Sequence, residues 1–177
     1  MGDFLTDVET LRQRARAEID RGPITESYGA DRDRVVQVMN EVLATELVCV
    51  LRYKRHYYMA KGLNSGPIAA EFLQHANEEQ GHADSVAERI TQLQGAPDFN
   101  PSTLTSRSHA EYKEGDGLID MIREDLVAER VAIASYQEIV RWLGTGDPTS
   151  RRVIEEILAV EEEHADDLLR FLESMDA

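Results

Sequence analysis

One pattern occurs twice in this chain and limits what it can fold into. Glu46 is followed seven residues later by Tyr53, and about thirty residues further comes Glu79-Gln-Gly-His82. Glu129 is followed seven residues later by Tyr136, and about thirty residues further comes Glu161-Glu-Glu-His164. On a helix, residues three apart are neighbours with Cβ atoms about 5–6 Å apart, so each Glu-x-x-His can reach one ion together. Residues seven apart are two turns apart less about 20°, which puts each tyrosine on the face of its glutamate. The repeat therefore asks for four helical segments in two related halves.

The apolar periodicity supplies them. Phe4, Leu5, Val8, Leu11, Ala15 and Ile19 predict a short amphipathic helix over about 3–21, stopped by Gly22-Pro23. A long helix is predicted over about 31–61, with Val35, Val38, Met39, Val42, Leu43, Leu47, Val50 and Leu51 as its stripe and Gly62 to Pro67 as its stop. A second runs over about 68–94. Pro97, Pro101, a Ser/Thr cluster and Gly115-Asp-Gly117 then mark a long connection, with a turn of helix expected around 108–113. A third helix is predicted over about 118–143 and a fourth over about 149–174, with Asp147 or Thr149 as its N-cap and Pro148 in its first turn. Short, long and short connections between helices of this length give an all-α antiparallel four-helix bundle with one long crossover between its second and third helices. Residues 1–30 form the N-terminal helix and loop, and residues 31–177 the bundle domain.

Composition narrows the classes of function. The formal net charge is −15, from 34 acidic and 19 basic residues, which repels nucleic-acid phosphates and anionic membranes and attracts cations. Cys49 is the only cysteine, so neither an intrachain disulfide nor a zinc-ribbon or rubredoxin-type cysteine set can form. The N-terminus has no apolar core of the signal-peptide kind, and no stretch approaches the ~20 apolar residues of a membrane span. A cytoplasmic location is expected.

Four carboxylates and two imidazoles, without thiolates, suit two ions of iron or manganese, and four negative charges offset two divalent cations. Without metal, the four acids would repel one another or take up protons. A single Glu-x-x-His in a Glu-rich chain reads as a solvated helix face. Two copies, each preceded by Glu-x6-Tyr, read as one dinuclear site built from Glu46, Glu79, His82, Glu129, Glu161 and His164. Tyr53 and Tyr136 either hydrogen-bond to the ligands, supply an electron, or fill space.

The segments ATELVCVLRY (44–53), EFLQHANEEQGHADSVAERI (71–90), EDLVAERVAIASY (124–136) and EEILAVEEEHADDL (155–168) resemble the ferritin-like superfamily, and most of all bacterioferritin and the bacterioferritin-like, Dps-like thioferritins. The resemblance spans roughly residues 31–174. It implies that Glu46 and Glu129 are terminal ligands of two different ions, that Glu79 and Glu161 bridge them, and that His82 and His164 each complete one. It further implies two iron ions per subunit, with manganese as the alternative, and Fe(II) with O2 or H2O2 as the reactants. Three departures qualify it. Gln80 stands where haem-binding bacterioferritins carry a methionine, which argues against haem. Only 13 residues follow His164, too few for the fifth helix of 24-subunit shells. Cys49 alone cannot form the cysteine pair of thioferritins. A homo-oligomer is expected, with a dodecamer favoured over 24 subunits or a dimer.

Several other residues invite a role. His75, one turn before Glu79, reads as a polar residue at the bundle edge, with an extra ligand or an iron-entry residue as the alternatives. His56 and His109 lie off the ligand stripe and are assigned nothing. Cys49 reads as a small core residue. Asp84 and Asp166, each following its histidine as His-Ala-Asp, read as solvated or as supports for an imidazole. Arg12, Arg14, Arg16 and Arg21 alternate with acids, which argues against nucleic-acid binding. The sequence thus predicts a ferroxidase that stores iron as ferric mineral in an oligomeric shell. A dimanganese catalase-like enzyme and a DNA-protecting scaffold are the competing readings.

Overall fold

The computed structural model describes residues 6–60 and 65–175, and all regular structure among them is helical. The elements are α1 (Val8–Ala17), a 3-10 turn (Ile19–Arg21), α2 (Arg32–Met59), α3 (Ser65–Gln92), α4 (Leu104–Arg107), α5 (Leu118–Leu143) and α6 (Pro148–Met175). Helices α2, α3, α5 and α6 form the bundle. The α2–α3 and α5–α6 hairpins make its closest pairings, and contacts of α3 with α6 and α2 with α5 join them. At 1.5 Å per residue the 28-residue helices are about 42 Å long.

Local chemistry sets the ends. The Asp7 carboxylate accepts from the backbone N–H of Glu9 and Thr10, and that of Asp31 accepts from Arg34 N–H. Helix α3 starts at Ser65, before the expected Ile68, because Pro67 falls in a first turn where its missing N–H costs no bond. Gly144, at φ 49°, closes α5 in a conformation that a side chain disfavours. Helix α1 is shorter than the sequence suggested and buries nothing, leaving Val8 and Leu11 exposed. Phe4, Leu5 and Gly62 lie outside the described residues.

The crossover is held along one helix. Asn40 bonds Ala96 C=O and Asp98 N–H, Thr45 accepts from His109 N–H, Arg52 donates to Glu111 C=O, and His56 pairs with Lys113 C=O. The helical turn in this connection lies at Leu104–Arg107, whereas the sequence suggested 108–113. Arg107 determines that placement by reaching the carbonyls of Asn40 and Asp98.

Apolar packing occurs in two principal layers. One gathers Val35, Met39, Leu43, Val86, Ile90, Ile139 and Ile154. The other gathers Phe72, Ala76, Met121, Ile122 and Leu168 toward the opposite end. Between them the interior becomes polar: Glu46, Glu79, Glu129 and Glu161 are each at most 1% exposed.

Candidate metal centre

Each bundle helix delivers one carboxylate to this polar layer: Glu46 from α2, Glu79 from α3, Glu129 from α5 and Glu161 from α6. His82 and His164 stand one turn after Glu79 and Glu161. His82 Nδ1 lies 3.1 Å from both Glu46 Oε2 and Glu161 Oε1, and 3.6 Å from Glu79 Oε2. His164 Nδ1 lies 3.4 Å from Glu161 Oε2 and 3.6 Å from Glu79 Oε1. Two overlapping clusters result, Glu46–Glu79–His82–Glu161 and Glu79–Glu129–Glu161–His164, each with donor atoms within 4.8 Å of one another. Glu79 and Glu161 belong to both.

The tyrosines cross between hairpins. Tyr53 of α2 donates to Glu129 of α5, and Tyr136 of α5 donates to Glu46 of α2. Each phenol thus fixes one oxygen of the lone glutamate on the other hairpin. Both phenols are pushed well above their ordinary range, first by burial and then by the adjoining carboxylates.

Charge is shared unequally across the layer. Burial, with the charges of Glu161 and Glu79, pushes Glu46 and Glu129 well above the usual carboxylate range. Burial acts in the same direction on Glu79, but the imidazoles of His164 and His82, each 3.6 Å away, outweigh it and hold that carboxyl low. Burial opposes charge on the imidazoles, yet the glutamates prevail: His82 is pushed up to about 12 and His164 to about 10. Glu79 Oε1, Glu129 Oε2, both Glu161 oxygens and His164 Nδ1 are buried with no hydrogen-bond partner. Unsatisfied buried donors and acceptors are costly. Here they converge, and they are the oxygen and imidazole atoms that hard divalent ions prefer.

A family model described as a ferritin-like domain matches residues 36–177. The chain belongs to the ferritin-like family. Bacterioferritin from Rhodobacter capsulatus is 26% identical over 134 residues, covering 75% of this chain and 79% of that protein. A nutrient stress-induced DNA-binding protein from Nostoc sp. is 30% identical over 142 residues, covering 78% and 77%. Among solved structures, a dodecameric thioferritin, the bacterioferritin-related protein of Bacteroides fragilis, superposes with a TM-score of 0.80 at 28% identity, covering 84% of this chain and 89% of that one. These relatives match the resemblance carried by the sequence motifs.

Within this ferritin-like bundle, some of the lesser residues take unexpected positions. His75 is no bundle-edge residue. It is 1% exposed, and its ring stacks on that of His164 with centroids 3.9 Å apart. Burial, and secondarily His164, drives its imidazole down to about 3. His56, assigned nothing, is buried and bonds Asp125 Oδ2 at 2.7 Å, while Arg52 holds Asp125 Oδ1 at 2.8 Å. Asp84 is exposed and accepts from Gln80, and Asp166 is exposed and pairs with Arg170. Neither supports an imidazole. Glu78 does so instead, with Oε2 2.9 Å from His164 Nε2, which leaves His164 Nδ1 for the centre. Spacing could have pointed to Glu78, since it directly precedes Glu79, but nothing in its surroundings distinguishes it from other surface acids. Cys49 is a buried core residue, its thiol raised by burial. His109, 3.8 Å from Glu41, lies away from the centre.

Proposed function

We propose that this chain is a ferroxidase. Glu46, Glu79, His82, Glu129, Glu161 and His164 hold two Fe(II) ions, with Glu79 and Glu161 shared between them. The observation that carries this reading is that those two glutamates belong to both four-residue clusters. A pair of adjacent sites with shared carboxylates suits removal of two electrons together. The iron is substrate: two Fe(II) give one electron each to O2, which with two protons leaves as H2O2, or to H2O2, which with two protons leaves as water. The residues position the ions and supply four negative charges against the charge that grows on oxidation. Tyr53 and Tyr136 keep the terminal glutamates aimed inward. Storage of the ferric product in a homo-oligomeric shell follows from likeness to a thioferritin described as dodecameric, and twelve subunits is the favoured size.

Changing Glu79 or Glu161 to Ala removes a carboxylate from both ion positions and is expected to lower the rate of Fe(II) oxidation by at least ~100-fold. Unchanged rates in both variants would sink the assignment. Manganese is the alternative ion for the same donors. Bound manganese with oxygen evolution from peroxide, and no iron retention, would favour catalase-like chemistry. One relative is described as DNA-binding. Against that activity here, Arg12, Arg14 and Arg21 pair with Glu9, Glu26 and Glu18, and the net charge is −15. Among the described residues no helix is long and apolar enough to cross a membrane.

A further inference from the structure

The two halves repeat the ligands faithfully and then diverge beside them. Four and eight residues before Glu79 stand His75 and Glu71; the corresponding positions before Glu161 are Ile157 and Val153. Three residues after His164 stands Asp167; the corresponding position after His82 is Ser85. At these three positions one flank of the centre has two apolar residues and a serine, and the other has two carboxylates and an imidazole. Those three meet: donor atoms of Glu71, His75 and Asp167 all lie within 4.8 Å of one another across the α3–α6 seam.

His75 is what distinguishes this group from surface acids. It is fully buried, yet neither ring nitrogen has a hydrogen-bond partner. Its Nε2 lies 3.3 Å from Glu71 Oε1 without hydrogen-bond geometry. An imidazole buried in this way leaves its polar atoms costly unless something binds them. Glu71 and Asp167 are only part-buried, so the cluster opens toward solvent. Arg170, exposed and 3.7 Å from Asp167, brings a guanidinium to its outer side. On the inner side, the His75 ring stacks on His164.

We propose that Glu71, His75 and Asp167 form a third divalent-cation site, separate from the dinuclear centre and one stacked imidazole away from it. Two carboxylates and one imidazole give the donor chemistry of the main centre with half its negative charge, so the site holds an ion more weakly and releases it more readily. Its place between solvent and His164 makes it a station for an ion entering the centre from one side only. That the natural ion is Fe(II) rests on the ferroxidase reading; the site itself rests on its own ligands.

Crystals of the full chain soaked in Co(II), with data collected near the cobalt edge, test this directly. The expected anomalous map has two peaks among the six central residues and a third in bonding contact with His75, Glu71 and Asp167. The paired substitution Glu71→Gln with Asp167→Asn is expected to remove the third peak and keep the other two. A filled central pair with no density at His75 in the unsubstituted protein would overturn the third site, as would a third peak that survives the double substitution. An empty central pair would count against the dinuclear reading instead, so the two failures are distinguishable.

Discussion

Four carboxylates held together in a protein interior repel one another, and in this chain two imidazoles and two phenols contain that repulsion. His82 and His164 hold a second proton because glutamates surround them, while Glu46 and Glu129 are raised toward the protonated form. A divalent ion must displace those protons, because ligating imidazole is neutral and ligating carboxylate is ionised. The sign follows. As pH falls, protons compete more strongly with the ion for these carboxylates and imidazoles, so metal affinity drops; as pH rises, affinity grows. Titration calorimetry with Mn(II) in buffers of different ionisation enthalpy is expected to show at least about two protons released per chain near neutral pH, those of His82 and His164. Binding that is independent of pH, with no proton released, would contradict the electrostatic picture of the centre.

A buried polar residue fixes where α6 starts. Asp147, 1% exposed, precedes α6 and is held by four groups. Its carboxylate accepts from Ser150 N–H at 2.9 Å, Ser150 Oγ at 2.6 Å, Tyr28 Oη at 2.8 Å and Arg89 Nη2 at 2.9 Å. Burial would raise this carboxyl, but the bonds from Ser150 and Tyr28 and the charge of Arg89 outweigh it, and its pKa is lowered. A depressed folded-state value contributes stability that is present above the unfolded value and is lost as pH falls through the folded one. Asp147→Asn keeps the cap but leaves Arg89 without its anion. It is expected to cost about 2 kcal/mol at pH 7. In urea unfolding, the gap to the unsubstituted protein should close below a pH of about 4. A gap equally wide at pH 3 would assign the loss to packing instead.

Helix by helix, the fold was largely legible. Apolar stripes bounded by Gly and Pro mark all four bundle helices, and α5 occupies the expected residues. The short helix α4 lies away from 108–113 because Arg107 anchors it to the carbonyl of Asn40 in distant α2 and to that of Asp98, and local sequence carries no trace of the α2 partner. The six centre residues were readable as a group because Glu-x-x-His spacing fixes which side chains share a helix face. His75 was misread because spacing gives its face approximately, while burial depends on the ring of His164 across the bundle. Asp125, joined to Arg52 and His56, was invisible for the same reason: its partners lie 73 and 69 residues away.

At the scale of the whole molecule, the charge of −15 would be multiplied in a closed shell, raising the local concentration of cations at its surface and in any opening. Helix α1, with Val8 and Leu11 exposed and no buried residue, is available for contact with another copy. A native mass corresponding to twelve chains is expected, and a monomeric mass across the micromolar range would remove the shell from the account.

The central claim is that one chain oxidises two iron ions together. Stopped-flow absorbance, with oxygen in excess and Fe(II) increased stepwise per chain, measures this most directly. The amplitude of the fast phase is predicted to rise linearly and break at two Fe(II) per chain, with the break lost in Glu79→Ala and Glu161→Ala. A break at one iron per chain, or a fast phase that survives both substitutions, would contradict the account.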